Sequence, residues 1–235
     1  MTTDELLLEF RSVADDPELP GNGDASDSLW SDEEILRYMN MAQRAFAKYT
    51  EIFRDSSTAE ICNIAVTADN PIIDIDPRII KIKRATLNST KRKLRLVEHQ
   101  WMDEGYSDDD YGVYFTGNWE DKKGTPKIVL MNWEKDKARI TPISTVGDQI
   151  NLTVVRYPLI DIVEDTDPLE VTQTEHQYIM LDAMQYYAYK KHDADIYDEQ
   201  KANGFLASFK TLAQDVKTEL NMKYKPMRNV QYGGI

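Results

Sequence analysis

The most constraining feature of the 235-residue sequence is a pair of long amphipathic segments between residues 174 and 220. The first, at about 175–191, is apolar around much of its circumference, and such a helix needs neighbours on more than one side. The second, at about 195–220, carries an apolar stripe at three- and four-residue steps. The stripe comprises Phe205, Phe209, Leu212, Ala213, Val216 and Leu220. We therefore expect a helical hairpin that turns at residues 192–194 and serves as a scaffold.

A short helix is predicted near the N-terminus, at residues 3–14, with Thr3 in the N-cap position. Its apolar face comprises Leu6, Leu7, Phe10 and Val13. Residues 17–28 are rich in turn formers and poor in apolar side chains, which is typical of a loop. The first helix is therefore expected to end before this loop.

A longer helix is predicted at residues 31–53, because its start signal is complete. Ser31 and Glu34 have the spacing of a capping box, and Trp30 and Ile35 flank the cap as a hydrophobic staple. The expected apolar face comprises Ile35, Met39, Ala42, Phe46, Tyr49 and Phe53. This spacing is helical throughout, so we expect one face of the helix to be buried.

The hydrophobic pattern changes to period two between residues 61 and 157, which predicts short strands. Residues 80–96 alternate apolar and basic side chains around a turn at 88–90, as expected of a hairpin with one apolar and one basic face. The other predicted elements are strands at 128–133 and 138–143, which turn at 134–137, a last strand at 150–154 and a short helix at 98–104.

These patterns together predict an α+β fold, in which an antiparallel β-rich subdomain is inserted into a helical bundle. The bundle helices are expected near 3–14, 31–53, 175–191 and 195–220. The predicted domains are the N-terminal bundle helices at 1–58, the inserted subdomain at 59–160, the C-terminal helical hairpin at 161–222 and an extended tail at 223–235. No apolar run of membrane-spanning length is present.

Charge is unevenly distributed along the chain, whose formal net charge is −13. Residues 1–34 hold 11 acidic side chains against Arg11 alone, whereas residues 81–95 hold seven basic side chains and no acidic one. A strongly acidic chain is unsuited to binding nucleic acid tightly, because phosphate contacts need local cations. It does not prevent DNA from passing nearby.

The basic hairpin is the best candidate for a charged partner. Its cations fit the solvated face of a half-exposed sheet, but seven of them in a segment with no acidic residue favour contact with DNA or with an acidic protein surface, including that of another copy. The candidate contact residues are Lys81, Lys83, Arg84, Arg92 and Arg95.

Four tyrosines lie close together on the first helix of the C-terminal hairpin, and at least one is expected at an interface. They are Tyr178, Tyr186, Tyr187 and Tyr189.

Candidates for chemistry are few. The densest carboxylate cluster does not match a calcium-binding loop, so a solvated acidic loop is favoured over a weak divalent-ion site. It comprises Asp103, Glu104, Asp108, Asp109 and Asp110. His99, His176 and His192 lack metal-ligand spacing, and Cys62 lies in an apolar, strand-like stretch where a small core residue is expected. We therefore predict no catalytic residue, no metal and no cofactor.

Three stretches, LWSDEEILRYMNMAQRAF, RYPLIDI and EHQYIMLDAMQYYAYKKHDADIYDEQKANGFLASFK, together resemble the head-to-tail adaptor (connector, or gateway) proteins of tailed bacteriophages. The first contains a helix-start motif, the second an Arg-x-Pro-Leu strand end, and the third a Lys-x-Asp-Ala turn followed by the last helix. The positions that carry the resemblance are Ser31, Asp32, Glu34, Ile35, Asn40, Ala42, Arg44, Arg156, Pro158, Leu159, Lys191, Asp193, Ala194, Asp195, Ala202 and Phe209.

The resemblance implies a non-enzymatic ring protein of the virion neck, made in the host cytoplasm and placed between the capsid portal and the tail. It implies a dodecamer whose channel passes viral DNA without sequence-specific binding. The implied partners are the portal protein, a tail or nozzle protein and other copies of the chain, with no membrane. C-terminal tails of such adaptors commonly dock on the portal. The residues in question here are Lys223, Tyr224, Lys225, Pro226, Arg228 and Tyr232.

Two other hypotheses about the function remain open from the sequence. One is another structural component of the virion, such as a tail-completion or decoration protein. The other is a nucleic-acid-processing protein that holds a divalent ion on the acidic loop 103–110. For the adaptor reading, we infer from the charge pattern alone that residues 1–34 and 81–95 supply complementary faces between neighbouring subunits.

Overall fold

The computed structural model describes residues 1–14, 16, 28–103, 107–108, 113–114, 119–191 and 197–224. The chain divides into two compact units, of which the first combines residues 1–52 with residues 158–235 and the second covers residues 53–157. Both helices and a mixed sheet are present, which confirms the predicted α+β class.

The described residues form helices α1 (Thr3–Val13), α2 (Asp32–Thr50), α3 (Ala59–Cys62), α4 (His99–Asp103), α5 (Thr174–Tyr189) and α6 (Glu199–Lys223). In the first unit, α5 contacts α1, α2 and α6. The prediction that α5 needs neighbours on more than one side is confirmed, because its buried residues lie around most of its circumference. Met180, Met184 and Ala188 of α5 are completely buried.

The two N-terminal helices differ from their predicted bounds at their ends. In α1 the N-cap is Thr2 rather than Thr3, because the Thr2 hydroxyl accepts the Glu5 N–H in a capping box. In α2 the predicted capping box between Ser31 and Glu34 is confirmed. The helix ends at Thr50 rather than at residue 53, because Glu51 adopts a left-handed conformation with φ of 57° and closes the last turn.

The last helix is shifted relative to the prediction. It begins at Glu199 rather than at residue 195, with the Asp198 carboxylate accepting the Lys201 N–H as its N-cap. It continues to Lys223, so the first residue of the predicted extended tail is helical. Its buried residues are Ala202, Phe209, Ala213 and Val216. Leu212, predicted within the apolar stripe, is 40% exposed because it lies to one side of this face.

A chain of aromatic rings joins three helices in the core of the first unit. Trp30, which directly precedes α2, is completely buried and lies edge-on to Phe10 and to Tyr189, with ring centroids 5.7 and 5.6 Å away. Tyr189 in turn stacks on Phe205 of α6 at 5.8 Å. Such pairs each add about 0.5–1.5 kcal/mol beyond the burial of their area. The aromatic side chains therefore fix α1 and α6 against α5.

The described residues of the second unit form one eight-stranded sheet and a separate two-stranded ribbon. The strands are β1 (Arg54–Asp55), β2 (Asn63–Val66), β3 (Ile72–Asp74), β4 (Ile79–Leu87), β5 (Lys93–Glu98), β6 (Ser107–Asp108), β7 (Val113–Tyr114), β8 (Ile128–Glu134), β9 (Lys137–Thr141) and β10 (Asp148–Arg156). The order is β1-β10-β4-β5-β8-β9-β3, with β2 also paired to β10 and with β6 paired to β7.

The predicted hairpins β4–β5 and β8–β9 are confirmed, but the expectation of a wholly antiparallel subdomain is wrong. Strands β5 and β8 pair in parallel, with Arg95 opposite Ile128. The connection between them contains α4 and is long enough to bring the chain back in the same direction. Residues around this parallel pair, among them Val97, Met102 and Leu130, form a buried apolar cluster.

Candidate functional site

The five predicted contact cations of the basic hairpin are all exposed, and a bulge concentrates two of them. Lys81, Lys83 and Arg84 lie on β4, Arg95 lies on β5, and Arg92 directly precedes β5. Two adjacent residues of β10 pair with residues 82 and 84 of β4. Lys83, which lies between these two, is therefore the extra residue of a bulge. The bulge breaks the predicted alternation and exposes Lys83 and Arg84 side by side.

Three of these cations come together in an open groove of about 460 Å³ between β4, β5 and α4. Lys83, Arg84 and Arg95 line it, whereas Lys81 and Arg92 are not among the lining residues. The described lining also includes Leu94, Leu96, Val97, Lys93, Glu98 and Trp101. Because the lining combines cations with apolar side chains, this surface, called here the basic groove, suits a partner that is both acidic and apolar.

Sequence reasoning missed two contributors to the basic groove. Lys93 belongs to the basic hairpin but is not among the predicted contact residues, and Trp101 is not predicted from the sequence either. Trp101 lies on the predicted short helix, now α4, and 58% of it is exposed. An aromatic side chain in a short helix that directly follows a basic strand was the available signal, because aromatic residues are enriched in protein interfaces.

The predicted portal-docking residues fall at and beyond the end of α6. Lys223 is the last helical residue and Tyr224 is the C-cap, with its N–H bonded to the Leu220 carbonyl. Tyr224 is 53% exposed, and the Lys223 ammonium lies 5.9 Å from its ring centroid. The other four predicted residues, Lys225, Pro226, Arg228 and Tyr232, lie outside the described residues.

Two of the residues that carry the resemblance hold an irregular segment, residues 158–173, against α2. We call this segment the strap. The Asn40 side-chain amide donates to the Ile162 carbonyl at 2.7 Å and accepts the Ile162 N–H at 2.8 Å. The Arg44 guanidinium donates to both carboxylate oxygens of Asp161, at 2.8 and 2.9 Å. Asn40 and Arg44 are one helical turn apart and lie on the same face of α2, so they can contact two consecutive residues of the strap.

A further pair from the resemblance links the start of α2 to the end of α5. The Lys191 ammonium lies 2.8 Å from the Glu34 carboxylate, which also belongs to the capping box. A hydrogen bond from Lys191 lowers the pKa of Glu34, and the Ser31 N–H acts in the same direction, although partial burial opposes both. Glu34 therefore stabilises the helix start and the contact between the two helices at once.

A buried carboxylate organises the start of the second unit. Asp55 accepts hydrogen bonds from the N–H and hydroxyl groups of Ser57 and Thr58, and from the Arg156 Nε at 2.7 Å. Burial alone would raise the pKa of Asp55, but the hydrogen bonds from Thr58, Ser57 and Arg156 together hold this pKa well below its ordinary range. Arg156, another residue of the resemblance, thus pins β10 beside β1.

The candidates for chemistry that the structure describes are not assembled into a site. Within the described ranges, no three His, Cys, Asp or Glu side chains are grouped as metal ligands would be. His176 is buried beside Phe46, and burial lowers its pKa. Cys62 lies at the end of α3 rather than in a strand, because residues 59–62 form a helical turn, and burial raises the pKa of its thiol. Of the carboxylate cluster and the histidines, Glu104, Asp109, Asp110 and His192 lie outside the described residues.

Comparison with known proteins identifies the family to which the chain belongs. No curated protein matches the chain significantly. No helix in the described part of the chain is both long and apolar enough to cross a membrane. A family model described as the SU10 adaptor protein matches residues 1–230, and so includes both units and the strap. The chain therefore belongs to the SU10 adaptor protein family, a phage family of the head-to-tail adaptor type.

Proposed function

We propose that the protein is a structural, non-enzymatic component of the phage neck that forms a dodecameric ring between the portal and the tail. The observation that carries this proposal is the family match over residues 1–230. The match leaves only the last five residues outside, so it concerns the whole architecture rather than one motif. The ring, its copy number and its position are our inference from the adaptor family.

In this proposal, the helices of the first unit form a bundle around a channel through which viral DNA passes. The supporting observation is electrostatic. The formal net charge of −13 makes close binding of a polyanion unfavourable on most of the surface. DNA would then move through the ring without being held, as packaging and ejection both require.

The residues after α6 are proposed to dock on the portal. Lys223 and Tyr224 mark the point at which the helix ends, and the 11 residues that follow carry Lys225 and Arg228 but no acidic side chain. A basic segment can bind an acidic partner surface through complementary charge. The contact cations of the basic hairpin are assigned to a different interface, with a neighbouring copy.

The test of tail docking is deletion of residues 225–235, which leaves α6 complete. We expect the shortened protein to melt at the wild-type temperature and to lose co-sedimentation with the portal protein of the same phage. A matched control, Lys201→Gln with Lys210→Gln on α6, removes two positive charges elsewhere on the same unit and should bind as the wild type does. Undiminished binding of the shortened protein would refute the tail assignment.

A further inference from the structure

The strap exposes two large aliphatic side chains on an irregular segment of the first unit. Ile160 is 71% exposed and Val163 is 75% exposed, the two highest values among the exposed large hydrophobic residues other than Met222. Single exposed apolar residues are common on soluble proteins, but two within four positions form a small apolar patch. This patch is a candidate contact surface.

The backbone that carries the patch is held on both sides. Asn40 bonds the N–H and the carbonyl of Ile162. The Asp167 carboxylate accepts the N–H groups of Val163 and Glu164, at 2.8 and 2.9 Å. A segment ordered before binding loses less conformational entropy when a partner arrives. The strap is therefore pre-organised to present Ile160 and Val163.

The strap is acidic as well as apolar. Residues 158–173 contain five acidic side chains and no Lys or Arg. Glu164 and Asp165 are exposed beside Val163, whereas Asp161 is paired with Arg44. A partner surface must therefore offer apolar side chains and cations together. Nucleic acid, with its own negative backbone, is excluded as a partner of this surface.

The basic groove of the second unit has the complementary character. Its described lining includes four cations and Glu98, and Leu96 and the exposed Trp101 supply apolar surface among them. Nucleic acid could also use such cations and an aromatic ring. The apolar lining favours a protein segment, because it matches aliphatic side chains such as those of the strap.

We propose that the strap of one subunit docks in the basic groove of a neighbouring copy. Ile160 and Val163 lie against Trp101 and Leu96, and Glu164 and Asp165 pair with the cations of the groove. This inference rests on the proposed ring, in which each subunit needs two different and complementary faces. The sequence alone led us to infer that residues 1–34 are the acidic partner of the basic hairpin. In the present proposal the strap takes that role.

Cysteine crosslinking between two separately made proteins tests the contact. One protein carries Val163→Cys in the strap and the other carries Glu98→Cys in the groove. The native Cys62 is buried and its thiol pKa is raised, so it contributes little background. The proteins are mixed and treated with a short bis-maleimide, both free and bound to the portal. We expect at least tenfold more covalent dimer from the mixture than from either protein alone.

A control and a charge exchange make the result specific. Lys135→Cys lies on the exposed turn between β8 and β9 and should give no dimer with Val163→Cys. Adding Arg84→Glu and Lys93→Glu to the groove protein should lower the dimer yield at least tenfold. Adding Glu164→Lys and Asp165→Lys to the strap protein as well should restore it, because both charges are then exchanged.

The outcomes separate this inference from the proposed function. If the wild type loads onto the portal and the mixture gives no dimer in either condition, the strap–groove contact is wrong while the adaptor function stands. If the wild type neither self-associates nor loads onto the portal, both are wrong. If the groove substitutions leave the dimer unchanged but abolish binding of a DNA oligonucleotide, the groove is a nucleic-acid site and the inference is overturned.

Discussion

The Asp55 carboxylate is held in its charged form in the folded second unit. It is surrounded by five donors, and its side chain and that of Arg156 are 6% and 11% exposed. Removing one partner of a buried ion pair leaves the other without a counter-charge, which typically costs about 3–5 kcal/mol. The arrangement therefore predicts a large, local effect of a single substitution.

Asp55→Ala should lower the free energy of unfolding of the second unit by about 3 kcal/mol or more, because Arg156 loses this carboxylate and the four N–H and hydroxyl donors of Ser57 and Thr58 lose their acceptor. Denaturant unfolding measures this change. Glu60→Ala is the matched control, since Glu60 is 80% exposed and lies 3.7 Å from Arg78. It should stay close to the wild type. A loss of less than about 1 kcal/mol for Asp55→Ala would contradict the account.

Glu34 predicts a pH dependence with a definite sign. Its pKa in the folded protein is below the ordinary value of 4.5, chiefly because of Lys191. Its contribution to stability is therefore complete above the unfolded pKa and is lost as the pH falls through the lowered folded pKa. Glu34→Gln keeps a capping side chain but removes the charge, so it should destabilise the protein at pH 7.

The measurement is thermal melting of wild type and Glu34→Gln from pH 7 to pH 3. The difference in melting temperature should begin to shrink as the pH falls below about 4.5 and should vanish once the pH is below the lowered folded pKa, because the carboxylate of the folded wild type is then protonated as well. Lys191→Met serves as the control, since it removes the same ion pair from the other side and should show the same trend. A difference that is constant with pH would mean that the ion pair contributes nothing.

At the scale of elements, the strap depends on α2 for its shape. Asn40→Ala removes both hydrogen bonds to the Ile162 backbone, and unsatisfied buried groups of this kind cost about 1–3 kcal/mol. Amide hydrogen exchange at Ile162 should accelerate strongly. Arg44→Ala breaks an exposed ion pair to the neighbouring residue and should change exchange there only slightly. Equal exchange in both variants would refute the pinning role of Asn40.

The corrected face of α6 gives a second test at this scale. Phe209 is 1% exposed and meets the Tyr49 ring at 5.6 Å, whereas Leu212 is 40% exposed. Phe209→Ala should cost about 3–5 kcal/mol of stability by leaving a cavity, and Leu212→Ala should cost less than about 1 kcal/mol. Denaturant unfolding compares the two. Similar losses at both positions would restore the originally predicted stripe.

Sequence periodicity predicted elements well where local rules decide, as in the capping box of Ser31 and Glu34 and the hairpin β8–β9. It failed where longer-range structure decides. The parallel pairing of β5 and β8 depends on where the chain returns after α4, which no local pattern encodes. Three of the cations that line the groove, Lys83, Arg84 and Arg95, are predicted contact residues, but the groove also includes Lys93 and Trp101.

At the scale of the whole molecule, the family match covers both units, and the charge pattern gives the chain one acidic and one basic surface. The basic groove belongs to the second unit and the acidic strap belongs to the first. Opposite charges on two separate surfaces of one chain favour head-to-tail contacts between copies over symmetric pairs. This is the property that a ring-forming adaptor requires.

The most direct test of the adaptor proposal is the mass of the protein alone and after mixing with the portal protein of the same phage, by native mass spectrometry. We predict that the portal complex gains 12 copies of the 27.1 kDa chain. We also predict that this assembly proceeds without any catalysed reaction. A portal complex of unchanged mass, with the chain remaining a separate monomer, would contradict the proposed role between the portal and the tail.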